Sequence, residues 1–441
     1  MIAIPALLFL AIAIGCAAMW KPVACLQENH PRWAVLTLIG GAGAAFGIGA
    51  TSILFFVVQL IAPGMFWVDW IVEIAALGWL IFEARRVQVA KPVAMGPNLV
   101  ATGALLAVIA LSTFAMTQAW ELHPFGNWDA WSIWNLRAKF LLAGKLAWSP
   151  LLANTHPEYP LLHSGAVARL WAAGGLLEIA PKAIGYTFFL ALLAIVTGGI
   201  AIARGSLAGL IAGVTLGSTA TLIDQAPTQY ADVPIAAFFA AAAIFVMIER
   251  PIWAGVFAGF ALWTKDEGAM FGVLLLAVVA MFRMRRLARV AIGMIPGAAV
   301  YFFFKIALAP HVAGLFGAGT FSRLMNGGRW GVVLGGMLSQ VISLGASWMH
   351  PALILIVYAI GVRLRVDSRR DAYMWTALAA ATIAGYGAVM VAQSNDVLWQ
   401  VNTAADRLVL QWWPLAIIAV MMWLRPAEEL TAVEASRKKR K

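Results

Sequence analysis

Five short stretches of this chain combine acids, cations and aromatic rings in ways that could do chemistry. The first is His123-Pro124-Phe125-Gly126-Asn127-Trp128-Asp129-Ala130-Trp131, which sets a carboxylate between indole rings. Asp129 stands just ahead of a segment with helical periodicity. There it could cap the helix by accepting orphan N–H bonds, or take a proton from a hydroxyl as a general base. The second is His156-Pro157-Glu158-Tyr159-Pro160-Leu161-Leu162-His163. Its two prolines make a rigid turn, and Glu158 is either punctuation in that turn or a second acid facing Asp129. In Tyr230-Ala231-Asp232-Val233-Pro234, Asp232 could complement a helix dipole with Pro234 in the first turn, or bind sugar hydroxyls. Trp263-Thr264-Lys265-Asp266-Glu267-Gly268 is a charged turn between apolar runs. It is either self-neutralised or a seat for a lipid-linked phosphate, and ionisable residues at a membrane lean to the second use. In Trp399-Gln400-Val401-Asn402-Thr403-Ala404-Ala405-Asp406-Arg407, Arg407 could pair with Asp406 or offer a planar fork to a phosphate. Taken together, cations that stabilise a departing phosphate and a carboxylate that activates a nucleophile suit a phosphate-linked sugar donor.

The elements that must position these residues are membrane helices. The chain of 441 residues is 62% hydrophobic and 12% charged, with mean hydropathy +0.85. A soluble domain is roughly 45–50% apolar and 25% charged, so this surface is not built for water. A bundle of helices in lipid satisfies every backbone polar group internally. The net charge of +11 would suit nucleic acid, but the Lys and Arg fall in short clusters between apolar runs, as topology signals do. Cys16 and Cys25 give no disulfide framework, and no Cys/His cluster has zinc spacing. The run Ile2 to Trp20 lacks a basic leader and reads as a first span rather than a cleaved signal. Ala13-Ile14-Gly15-Cys16 is only faintly lipobox-like.

At about 20 apolar residues per span, thirteen spans are expected. They fall at 2–20, 34–57, 66–83, 99–119, 182–203, 206–223, 232–249, 252–264, 267–282, 290–309, 349–362, 371–392 and 408–424. Arg85-Arg86, the Arg283/Arg285/Arg286/Arg289 group, the Arg363/Arg365/Arg369/Arg370 group and the Arg437–Lys441 tail then face the cytoplasm. The parity holds if 331–348 lies along the outer surface without crossing. The opposite face receives the loop 120–181 and all five motifs. In that loop Ala130 to Lys145 is expected as an interfacial helix, with Ile133, Trp134, Leu136, Phe140 and Leu141 apolar and Ser132, Asn135 and Lys139 on another face. Six of the twenty tryptophans fall between 120 and 171, as rings at headgroup level do. The expected fold class is all-α, polytopic. Residues 1–98 form a three-helix extension, 99–424 the main module and 425–441 a basic tail.

The strings WDAWSIWNLRAKF, HPEYPLL, QYADVP, WTKDEG and TAADRLVLQ resemble bacterial members of the GT-C glycosyltransferase superfamily, whose better-known relatives include the protein O-mannosyltransferases and the aminoarabinose transferase of lipid A. The resemblance runs from about residue 99 to 424. It implies an integral membrane enzyme of the bacterial inner membrane. Such an enzyme moves a sugar from a polyprenyl-phosphate donor to an envelope glycan, lipid or protein, usually with inversion. By it, Asp129 and Glu158 are the catalytic acids, and Lys265 and Arg407 bind the donor phosphate, with Arg137 and Lys139 as further cations. Trp128, Trp131, His156, Tyr230, Asp232, Glu267 and Trp399 would line the substrate site. Unlike many relatives, Asp129 is flanked by Trp128 and Ala130 rather than by a second acid. A divalent cation is compatible with the carboxylates, but no ligand spacing demands one. The competing class is a transporter or flippase of a lipid-linked saccharide, with Asp69, Glu73 and Lys305 as its ionisable residues within spans. A third reading is a non-catalytic subunit of an envelope assembly complex.

Overall fold

The computed structural model describes residues 2–87, 96–144, 156–310, 317–345, 349–364 and 369–429. The expected Arg437–Lys441 tail, Arg365, Lys145 and the end of the 331–348 segment lie outside these. Among the described residues no strand forms, and Leu364 and Leu424 make an isolated bridge. The helices are α1 (Ala3–Ala24), α2 (Arg32–Ile61), α3 (Phe66–Arg85), α4 (Leu99–Leu122), α5 (Asn135–Leu142) and α6 (Leu162–Gly174). There follow α7 (Ile179–Arg204), α8 (Ser206–Gly217), α9 (Ala220–Gln225), α10 (Asp232–Met247), α11 (Pro251–Thr264) and α12 (Asp266–Phe303). The last are α13 (Thr320–Leu324), α14 (Gly327–Ile342), α15 (Ala352–Val362), α16 (Arg369–Ala392) and α17 (Val397–Trp423).

Among the described residues, seven helices are long and apolar enough to cross a membrane unaided, or eight if one bent pair counts as a span. The protein is therefore a helical membrane protein, but the thirteen expected spans differ from these in instructive ways. The stretch 206–223 is broken, with α8 and the run Ala220–Thr228 meeting at 62°. Helix α3 is long enough but carries Asp69, Glu73, Glu83 and Arg85. Helices α10, α11 and α15 have 16, 14 and 11 residues, short of the 30 Å of a bilayer core at 1.5 Å per residue. In α10 every residue from Asp232 to Val246 is buried. A helix apolar all round is shielded by protein rather than by lipid, so its length answers to its neighbours.

The stretches 267–282 and 290–309 join into one helical run, broken at Arg283, which has φ −141° and ψ 44°. Asp266 at its start nevertheless accepts a hydrogen bond from Tyr301 Oη at 3.1 Å, 35 residues on. A straight helix would separate them by roughly 52 Å, so the chain doubles back at Arg283. The return arm packs on α11 through two facing small-residue repeats, Gly255/Gly259 and Gly293/Gly297. A Cβ at Gly255 would lie 2.0 Å from the Val290 carbonyl oxygen, and one at Gly297 2.3 Å from that of Gly259. Without a hydrophobic drive between helices in lipid, such close backbone approach is what holds them. Replacing Gly297 by Leu should therefore disrupt the hairpin, read as a large fall in the thermal unfolding midpoint in detergent.

Polar contacts sort the two ends of the bundle. At one end Lys21 pairs with Glu83, Arg250 donates to the Pro22 carbonyl, Arg286 pairs with Glu249 and Arg283 with Asp371. Arg204 there donates to the carbonyls of Met421 and Leu424. The five motifs lie at the other end. Helix α14 touches that second end at both its termini: Arg329 donates to the carbonyls of Val391 and Gln393, and the Leu344 carbonyl accepts from Thr221 N–H. It packs on α16 and α17 near that end, and it is not one of the helices long and apolar enough to cross.

Helices α1–α3 pack on α6 and α7 and share one apolar core with the rest. Arg169 of α6 grips Glu73 of α3, its Nε 2.6 Å from Oε1, and also donates to the Leu7 carbonyl. Both side chains are at most 3% exposed. Truncating one partner of such a pair strands a buried charge at a cost of about 3–5 kcal/mol. Arg169→Ala should thus lose stability on that scale in detergent unfolding, and the paired replacement Arg169→Met/Glu73→Leu should recover most of it.

Candidate functional site

The loop carrying Asp129 is knitted to the loop before α10. Gly126 has φ +75°, and a Cβ there would lie 2.3 Å from the Thr228 carbonyl oxygen; only glycine fits this turn. Asn127 N–H donates to that same oxygen. Asn135 Nδ2 reaches the Phe125 carbonyl at 3.2 Å and Gln229 Oε1 at 3.1 Å, while Gln229 Nε2 donates to the Pro124 carbonyl at 3.0 Å. His163 Nε2 lies 3.0 Å from the Gln229 carbonyl, which it can only approach as a donor. Asn135 is therefore buried as a brace and does not share an outward polar face with Lys139, which is exposed. The interfacial helix itself starts as a π-turn, Ala130–Trp134, before α5. Such turns concentrate at functional sites.

Asp129 makes no side-chain cap to this helix. Its carboxylate instead pairs with Arg407 of α17, 278 residues away in sequence. Arg407 is further oriented by donating to the Thr403 carbonyl at 2.9 Å, and its guanidinium lies 5.4 Å from the centre of the Tyr230 ring. Tyr230 Oη accepts the Asp129 backbone N–H at 3.2 Å, and burial raises the phenol above its ordinary pKa. Both ionic side chains keep about a fifth of their surface open. Trp128 and Trp131 meet edge to face at 4.4 Å and are exposed beside them. Trp399 is also exposed, in the first turn of α17, its N–H capped by Asp396. Arg407 does not use its neighbour Asp406, which accepts from Gln225 Nε2 instead.

Beneath this pair lies a buried network. Lys265 donates to Asp232 and to Glu267, each at 2.9 Å. Gln411 Nε2 reaches Asp232 at 2.6 Å and its oxygen accepts from Tyr386 Oη at 2.6 Å. Lys265 is 5% exposed and its charge is spent on two carboxylates, so in this state it presents no cation to a phosphate. Its place is to neutralise the floor. Gln411 and Tyr386 escaped the sequence reading, although Gln411 stands four residues after Arg407, on the same helix face.

Glu158 belongs to a neighbouring group and not to a pair with Asp129. His156 Nδ1 lies 3.1 Å from its Oε1, while the His156 ring stacks on Tyr159 at 4.6 Å. The Glu158 carbonyl accepts from Lys305 Nζ at 2.6 Å, and Lys305 also binds Asp266. Arg137 is fully buried, donates to the Tyr159 carbonyl and faces inward, opposite to Lys139. Burial pushes Arg137 down to about 10, against the pull of Glu158 and Tyr159, so it stays charged at neutral pH. Burial by itself would raise Glu158; the His156 hydrogen bond and the Arg137 charge outweigh it and hold the acid below its usual value. A depressed carboxyl pKa stabilises the fold above the unfolded value, about 4.3, and that contribution is lost as pH falls through the folded value. The thermal stability of the wild type over Glu158→Gln should accordingly shrink on acidification below about pH 4.3.

Two of the ionisable residues singled out for transport are committed elsewhere. Glu73 is held by Arg169, and Lys305 sits in the π-turn Phe304–Leu308 at the motif-bearing end. Asp69 is buried with neither carboxylate oxygen hydrogen-bonded. Among the described residues no three His, Cys, Asp or Glu side chains converge as metal ligands would. The carboxylates are matched instead by Arg407, Lys265 and Lys305. No family model, curated protein or solved structure matches this chain.

Proposed function

We propose that the protein is an inverting membrane glycosyltransferase. It moves a sugar from a polyprenyl-phosphate donor to an envelope acceptor on the outer face of a bacterial inner membrane. The observation that carries this reading is the Asp129–Arg407 pair, which joins a base and a phosphate-binding fork at an exposed aromatic rim. Asp129 takes the proton from the acceptor hydroxyl, whose oxygen forms a bond to the anomeric carbon. The bond from that carbon to the phosphate oxygen breaks, and its electron pair leaves with the polyprenyl phosphate, where Arg407 meets it. Trp128 and Trp131 offer ring faces to the sugar. Asp232 and Glu267, tied to Lys265, form the floor. The arginine-rich end faces the cytoplasm in this reading, as clustered Lys and Arg beside membrane helices do.

The test is transfer of radiolabelled sugar from a polyprenyl-phosphate donor to acceptor by the purified protein in detergent, where no two compartments exist. Transfer is expected. Movement of a lipid-linked saccharide across vesicles, with no transfer in detergent from a panel of donors, would replace this reading by transport.

A further inference from the structure

At the arginine-rich end, far from Asp129, a shallow, largely open groove of about 630 Å³ lies between the first arm of α12 and the first turns of α16. Phe282, Tyr373, Ala377 and Ala380 form its apolar wall, and Thr376 and Arg370 complete its lining. Its polar atoms are largely spent inward. Thr376 Oγ1 donates to the Ala372 carbonyl and accepts from Trp423 Nε1 at 2.9 Å. The Trp423 ring meets Tyr373 edge to face at 4.9 Å and so backs that wall. What remains is hydrocarbon surface with a cation at the mouth. Arg370 is exposed and donates from Nη2 to the Phe282 carbonyl, which fixes the guanidinium over the opening. The adjacent acid, Asp371, is neutralised by Arg283. Arg369, next to Arg370 in sequence, is exposed as well. The local charge is therefore positive beside an apolar slot.

We propose that this groove binds one anionic phospholipid, its acyl chain along Tyr373 and Ala380 and its phosphate on Arg370. Charge complementarity selects the occupant: a neutral lipid would fill the slot but gain nothing at Arg370, whereas basic pockets between helices retain acidic headgroups. The site owes nothing to the glycosyl-transfer reading and stands or falls separately.

Native mass spectrometry of the purified full chain, titrated with phosphatidylglycerol or phosphatidylcholine, tests it. The wild type should retain one phosphatidylglycerol with at least fivefold preference. Arg370→Glu should abolish the preference. Ala380→Phe, which projects from an exposed position into the slot, should abolish retention with an unchanged unfolding midpoint. Arg285→Glu, an equal change of charge at the same end but outside the groove, should leave both intact. Equal retention of the two lipids by the wild type, unaltered phosphatidylglycerol binding in Arg370→Glu and Ala380→Phe, or an equal loss in Arg285→Glu would overturn the proposal.

Discussion

Asp129→Asn should lower the turnover of sugar transfer about 10²–10⁴-fold, the range that a positioned general base contributes, while binding the donor at least as tightly as the wild type. The two effects point in opposite directions for a structural reason. Asn keeps the size of Asp129 and its place beside Tyr230, but it cannot accept a proton and it withdraws the negative charge from Arg407. Without donor, Asp129 and Arg407 neutralise each other. On the proposed function, the donor phosphate must therefore compete with Asp129 for the guanidinium, and each gain in that competition would free the carboxylate to act as a base. In the Asn variant the competition is gone, so donor affinity holds or rises as turnover falls. If Asp129 only anchored Arg407, its loss would instead weaken donor binding, with turnover at saturating donor little changed. Unaltered transfer by Asp129→Asn would remove it from the chemistry altogether.

Much of this arrangement could be read from the sequence, and what could not has identifiable causes. The class of fold followed from hydropathy, and the sidedness of acids and arginines followed from their clustering. The expected span 232–249 matches α10 to within two residues, but hydropathy does not show that this 16-residue helix is sheltered by protein on every side rather than by lipid. The last span is expected only from 408 because the first turns of α17, from Val397, are polar. The facing glycine repeats of α11 and α12 were legible as spacing but not as partners. At the site, residue types pointed to Asp129, Tyr230 and Arg407, and the fold brings these three together. The same reasoning did not show how Lys265 is engaged, because one of its two acids, Asp232, lies 33 residues earlier. The neighbours of Lys265 in the turn suggested a local balance; Glu267 supplies part of it, and Asp232 of α10 supplies the rest across helices. Asn135 is expected on one face with Ser132 and Lys139 only if the interfacial segment is a straight α-helix. A π-turn precedes it, and α5 is buried on the side that carries Arg137, Ala138 and Leu141.

Arg407→Ala should reduce kcat/KM about 10²–10³-fold, the cost of removing one donor aimed at developing negative charge, with the donor KM rising as well. Lys at this position should restore only part of the loss. A lysine ammonium is a point charge, whereas Arg407 divides its fork between Asp129 on Nη1 and the Thr403 carbonyl on Nη2, and that division sets the plane in which it meets a phosphate. The variant also leaves Asp129 without its cation beside the buried acid Asp232, so some of the fall reflects a displaced carboxylate rather than a lost phosphate contact. The double variant Asp129→Asn/Arg407→Ala separates the two. Residues acting on one reaction coordinate lose activity non-additively, so the double variant should fall little below Asp129→Asn alone. Strict additivity would show that the two side chains act at separate sites, and the ion pair would then be a structural tie between α17 and the outer loop. Unchanged donor dependence in Arg407→Ala would assign the phosphate to another cation, of which exposed Lys139 is the first to test.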